Sequence, residues 1–121
     1  MNRLLLSLDL GLHCGWACGY TDSGPASGVW RLDKAEPRKH PGARFAELRN
    51  KVELLYPAVI AYEDVKRHPG GGTIASHVYG GWLAVIQTFA VTHGVELLPI
   101  GVTEIKKHAT GKGNAGKDAV I

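Results

Sequence analysis

The stretch RLLLSLDL at residues 3–10 constrains this chain more than any other. It is almost wholly apolar until its closing acid, Asp9. Such a run fits a central strand covered on both faces, because a strand with one wet face alternates polar and apolar residues. It is expected to be a buried strand and not a leader peptide. The apolar run is too short, Asp9 interrupts it, and no small-residue cleavage site follows. No other stretch approaches the roughly 18–20 apolar residues of a membrane span. A cytoplasmic protein is therefore expected.

The cysteines agree with that expectation. Cys14 and Cys18 are the only two. If both lie on one strand, about 13 Å separates their Cα atoms. A disulfide needs less than about 7 Å, so two free thiols are predicted. No second pair of ligands suggests zinc.

Turn signals divide the remainder of the chain. Gly11 and Gly15 bracket a short turn, and a second strand follows over about residues 15–20. Asp22-Ser23-Gly24-Pro25 is a strong turn cluster, leading to a third strand over about 27–32. Three strands with short connections read as an antiparallel meander. Residues 33–41 form a polar loop, with Pro41 placed in the first turn of a helix. Phe45, Leu48, Val52 and Leu55 then recur at helical spacing, and Pro57 stops the helix.

A fourth buried strand is predicted at 58–65, and KRHPGGG at 66–72 is a basic, glycine-rich loop. A second helix over about 73–93 is apolar around most of its girth, and Gly94 ends it. A fifth strand follows at 95–100. A short helix is expected at 102–108, a glycine-rich loop at 110–116, and a further helix from Lys117. The order βββ-α-β-α-β-α implies later strands parallel to the first. The predicted fold is α/β and ribonuclease H-like: a mixed five-stranded sheet, three strands antiparallel and then two parallel, with helices on both faces. At 121 residues the chain has room for one such domain, spanning 1–121.

Charge adds a direction. The net charge is +3, from 14 Lys+Arg and 11 Asp+Glu. Arg31, Lys34, Arg38, Lys39, Arg44, Arg49 and Lys51 crowd residues 31–51, and Lys106, Lys107, Lys112 and Lys117 crowd 103–118. A basic tilt of this kind leans toward acidic partners, nucleic acid foremost.

The chemistry concentrates on two acids. Asp9 ends the first strand and Glu63 lies near the end of the fourth. Sites in open α/β sheets gather outside the carboxyl ends of strands. Two carboxylates converging there repel unless a cation lies between them. Mg²⁺ suits that place, since it takes oxygen ligands and keeps several waters. The plainer reading makes Asp9 a turn cap and pairs Glu63 with Lys66 or Arg67. Asp64 competes with Glu63 for the site. Alternation sends the two to opposite faces, and pattern alone leaves the choice open.

The segments LSLDLGLHCGWACG, IAYEDV and VTEIKKHATGKGNAGKDAV resemble the RuvC family of Holliday junction resolvases, within the ribonuclease H-like superfamily. Their order and spacing match over nearly the whole chain. The T-G-K-G-x-A-x-K run is the most particular of the three. Asp-x-Gly strands also open sugar kinases and actin-like ATPases, but those need two large lobes around a nucleotide.

The resemblance implies Asp9 and Glu63 as metal-binding, catalytic acids, which favours Glu63 over Asp64. It implies Lys106 and Lys117 beside the scissile phosphate, where they would offset transition-state charge. It further implies DNA contacts by Lys66, Arg67, His68, Lys107 and Lys112, with Mg²⁺ (or Mn²⁺) as cofactor. The partner would be a four-way DNA junction, cut by paired phosphodiester hydrolysis by a homodimer in a bacterial or phage-infected cell.

Three departures stand beside this. The family completes its site with further acidic or histidine ligands on a last helix, which would fall beyond Ile121, so the domain is expected to lack that helix here. Asp118 comes too early to serve. No aromatic wedge occurs between Val65 and Val78. A junction-binding module without catalysis is therefore the second expectation. Gly80-Gly81 inside the second helix costs roughly 1 kcal/mol per glycine relative to alanine. Close packing against the sheet would offset that. A two-fold interface near Ile74, Val78 and Trp82 would do so as well. Trp16, Trp30, Tyr20 and Phe45 are read as core or sheet-face residues, and no two histidines stand at clear metal spacing.

Overall fold

The computed structural model describes residues 3–20, 24–34, 40–64 and 72–101. Strand β1 (Leu4–Asp9) pairs antiparallel with β2 (His13–Tyr20), and β2 pairs antiparallel with β3 (Ala26–Arg31). A single 3-10 turn (Leu32–Lys34) leads toward α1 (Ala43–Leu55). Strand β4 (Val59–Glu63), α2 (Gly72–His93) and β5 (Glu96–Ile100) complete the described chain. The sheet order is β3-β2-β1-β4-β5, with β4 parallel to both β1 and β5. This is the predicted mixed sheet. Among the described residues no helix is long and apolar enough to cross a membrane.

Strand alternation sorts the side chains of the sheet. Leu6 and Leu8 of β1, Cys14 of β2, and Ile60 and Tyr62 of β4 face the helices. They form one core with Leu48 and Val52 of α1 and Trp82, Ile86 and Phe89 of α2. Both described helices therefore lie on the same face of the sheet. Helices were expected on both faces; the further helix expected from Lys117 lies outside the described residues, as do the expected helix at 102–108 and the loop at 110–116.

Local chemistry fixes the ends of the helices. Pro41 was expected inside the first turn of α1, but the helix begins at Ala43, with Gly42 at its N-cap. Tyr56 closes α1 in the left-handed region at φ 51°, donating its N–H to the Val52 carbonyl. Pro57 follows, and proline disfavours the α conformation in the residue before it. Gly94, at φ 67°, ends α2 as predicted. Pro99 sits in the edge strand β5, where a missing N–H is tolerated.

The paired glycines of α2 have different reasons. A Cβ on Gly81 would land on the ring of Phe45, so this glycine lets α1 close against α2. The close approach is thus to a helix and not, as expected, to the sheet. A Cβ on Gly80 would meet nothing within 4 Å. Trp82 is 1% exposed, its ring centroid 4.6 Å from that of Phe45. It belongs to this chain's own core, which corrects its expected place on a dimer interface. Val78 is half-buried against the same core, and the side chain of Ile74 lies outside the described set.

Candidate active site

The two parallel strands place the two acids together. Leu5 to Leu8 of β1 stand in register with Val59 to Tyr62 of β4. One step further, that register sets Asp9 beside Glu63. Both belong to the face away from Leu8 and Tyr62. They line a single open cleft of about 420 Å³, together with Ser7, Gly15, Ala17 and Ile100. Gly15 is the direct partner of Asp9 across the β1–β2 ladder. Having no side chain, it leaves the wall beside Asp9 bare. Among the described residues no cation or hydrogen-bond donor pairs with either carboxylate.

Asp64 goes the other way. Its N–H donates to the Ile100 carbonyl at 2.9 Å, closing the end of the β4–β5 ladder. Its charge acts on the phenol of Tyr62, on the core side, where burial and then Asp64 raise the tyrosine pKa. Asp9 has a similar effect on its neighbour Cys14. Burial, then the negative charge of Asp9, push that thiol up to about 12, so it stays protonated at neutral pH. Both cysteines are free, as expected from their spacing on β2.

Glu63 is also held through its backbone. The Tyr79 hydroxyl, on α2, donates to the Glu63 carbonyl at 2.8 Å. Nothing in the sequence pattern singles out Tyr79, which reads as one more core-facing aromatic of a helix.

A third group stands at the same end of the sheet. His13 is opposite Arg31 in the β2–β3 ladder, two residues beyond the Gly15–Val29 pair. By alternation both side chains share the face of Asp9. Asp33, in the 3-10 turn, joins them. Arg31 donates from Nε to Asp33 Oδ1 and from Nη2 to Oδ2, both at 3.2 Å. His13 Nε2 lies 3.1 Å from Asp33 Oδ2. The bonds from Arg31, then the one from His13, hold the Asp33 carboxyl down at about 2. The Leu32 N–H donates to the Leu12 carbonyl at 2.8 Å and ties the turn to the start of β2. In sequence terms Asp33 was loop, and Arg31 was one of seven scattered cations. The hairpin register is the signal that would have joined them.

The donor set at the cleft suits a hard divalent ion. Two adjacent carboxylates offer only oxygens, and Mg²⁺ is commonly held by one or two carboxylates plus water and substrate phosphate. Among the described residues no group of three or more His, Cys, Asp or Glu side chains converges. Lys66, Arg67, His68, Lys106, Lys107, Lys112 and Lys117 all lie outside the described residues.

Sheet order and crossovers together define an α/β fold of the ribonuclease H-like class. Within that class the likeness is to the fold of Holliday junction resolvases. Thermus thermophilus RuvC in complex with a Holliday junction substrate matches at TM-score 0.73 and 18% identity, over 98% of this chain and 74% of that one. A second Thermus thermophilus RuvC structure matches at 0.70 and 18%, over 96% and 74%. The yeast mitochondrial Holliday junction resolvase Ydc2 matches at 0.64 and 16%, over 88% of this chain and 54% of its own. No family model and no curated protein matches the sequence.

Proposed function

We propose that this protein is a divalent-metal-dependent endonuclease that resolves four-way DNA junctions. The observation that carries the reading is the placement of Asp9 and Glu63. They stand at one register of adjacent parallel strands, in one cleft, with no protein partner for either charge among the described residues. Two carboxylates left facing each other repel, so the arrangement favours a bound cation. The likeness in fold to Thermus thermophilus RuvC in complex with a Holliday junction substrate supports the substrate class.

Asp9 and Glu63 hold the metal through their carboxylate oxygens. A bound Mg²⁺ would supply Lewis-acid stabilisation of phosphate charge and a more acidic water. The bare wall at Gly15 admits a DNA backbone to the cleft. The Tyr79 hydroxyl fixes the end of β4, so Glu63 keeps its register beside Asp9. Lys106 and Lys117 offset charge at the phosphate, and Lys66, Arg67, His68, Lys107 and Lys112 contact the DNA. On this reading the protein acts in the cytoplasm of a bacterial or phage-infected cell.

Paired cuts in a two-fold symmetric junction call for two sites, hence a homodimer. The outward face of α2 supports this part of the reading. Residues 73–92 contain no Asp, Glu, Lys or Arg. Gly80, Ala84, Gln87, Thr88 and Val91 on that helix are nevertheless exposed. An uncharged, small-residue face on a long helix suits close contact with a second copy, and it replaces Trp82 as the expected interface.

The deciding experiment is cleavage of a synthetic four-way junction by the full chain and by Asp9→Asn, with Mg²⁺ or Mn²⁺. Wild type should cut and the variant should lose about three orders of magnitude in rate, the several kcal/mol that metal-held oxygens provide. Equal cutting by both would remove Asp9 from the mechanism. Tight junction binding without any cutting by wild type would replace the enzyme with a junction-binding module.

A further inference from the structure

The His13–Asp33–Arg31 cluster has a geometry that the two carboxylates do not explain. Each member is fixed. His13 and Arg31 are cross-strand partners near the ends of β2 and β3. Asp33 is set by its bonds to both and by the Leu32–Leu12 backbone bond. A guanidinium has five N–H donors in a rigid fork. Asp33 occupies Nε and one donor of Nη2, so the rest of the fork is free for a second acceptor. The Arg31 side chain is 52% exposed and that of His13 is 60% exposed. Arg31 therefore presents oriented donors to solvent beside the exposed His13 ring, and the cluster is not a closed ion pair.

Its distance from the cleft is informative. Asp9 pairs with Gly15, and His13 lies two residues before Gly15 on the same strand. Diagonal neighbours across an antiparallel ladder lie about 7–8 Å apart. A nucleic-acid strand advances about 3.4 Å per nucleotide along the duplex axis, but it winds round that axis, so successive phosphates of one strand lie about twice as far apart. A strand with one phosphate at Asp9 and Glu63 thus carries the next toward His13 and the one after toward Arg31, one strand further across the sheet. Gly15, beside Asp9 and two residues from His13 on the same strand, adds no side chain to that face.

We propose that Arg31 and His13, held by Asp33, form a phosphate-binding site for the DNA strand being cut, one to two nucleotides from the scissile position. The ligand class is a backbone phosphodiester, recognised by charge and by the planar donors of arginine. The assignment rests on the endonuclease reading for its substrate and adds a binding wall on the β2–β3 side of the cleft. Asp33 acts as a positioning residue: it aims the donors and does not touch DNA.

The test measures junction binding by the full chain without divalent metal, across a range of salt concentrations. Arg31→Ala should weaken binding about five- to tenfold near physiological salt and lower the slope of log affinity against log salt by about 1. Arg3→Ala is the control. Arg3 pairs with Glu96 at the opposite end of the sheet, so its loss should leave the affinity within twofold of wild type. Neutral methylphosphonates are then placed singly within three nucleotides of the mapped cut. One position should weaken wild type while leaving Arg31→Ala unchanged.

Failure can be assigned. If wild type binds DNA and Arg31→Ala binds equally well, or no weaker than Arg3→Ala, this site is refuted and the endonuclease reading stands. It is equally refuted if every methylphosphonate affects wild type and Arg31→Ala alike. If wild type binds no junction and no duplex, both readings fall.

Discussion

The two faces of β1 are built on opposite plans. Leu6 and Leu8 point into the helix layer and are 0% and 3% exposed. Ser7 and Asp9 alternate with them, and both are exposed on the other face. One six-residue strand therefore carries both the centre of the core and the centre of the cleft. Buried leucines contribute about 1.5–3 kcal/mol each and hold the backbone to one register. Because the leucines fix that register, Asp9 has to come out beside Glu63. The same division runs along α2, with Trp82 and Ile86 inward and Gly80 and Ala84 outward.

Three measurements would sharpen or break this contrast. The largest effect belongs to the inner face. Leu8→Ala should cost about 2–5 kcal/mol in chemical denaturation, while Ser7→Ala on the opposite face should stay within about 0.5 kcal/mol. Similar losses for both would mean that the outer face is packed as well. On α2, Gly80→Arg should leave the monomer folded, because the added side chain meets open space. It should nevertheless weaken self-association by at least about tenfold, or roughly 1.4 kcal/mol, when sedimentation is followed against concentration. Unchanged association, or none in wild type, would remove this face as a dimer contact.

The smallest effect is at Asp33. Its carboxyl lies at about 2 in the folded protein against an ordinary 3.8. Its contacts with Arg31 and His13 therefore stabilise fully above about pH 4 and fade as pH falls toward 2. Asp33→Asn should be slightly less stable than wild type at neutral pH. The gap should close across that acid window, and a gap constant with pH would show that the carboxylate charge contributes nothing.

The sequence was most legible where burial governs local pattern. The helical spacing of Phe45, Leu48, Val52 and Leu55 and the stop signals at Pro57 and Gly94 each have a local cause. The apolar run of β1 marked a central strand, but not the cover expected on both its faces: among the described residues Leu5, Ser7 and Asp9 are exposed. The acids were legible as strand-end residues, but pattern could not choose between Glu63 and Asp64. That choice depends on which face of β4 meets α2, which is a tertiary fact. Trp82 was misjudged for a related reason. On an apolar helix without charges, periodicity does not say which stripe faces inward, and here the answer lies in Phe45 packing over Gly81. The His13–Asp33–Arg31 group was not visible because it depends on register across a hairpin and on one backbone bond from Leu32 to Leu12.

The hydrogen bond from Tyr79 to the Glu63 carbonyl joins residues 16 apart in the chain. It acts as a staple across the mouth of the intervening segment, anchoring the last residue of β4 directly to the body of α2. The position of Glu63 is thereby uncoupled from whatever sequence runs between them. A change of length or sequence in that stretch then leaves the Glu63 carboxylate where it stands beside Asp9.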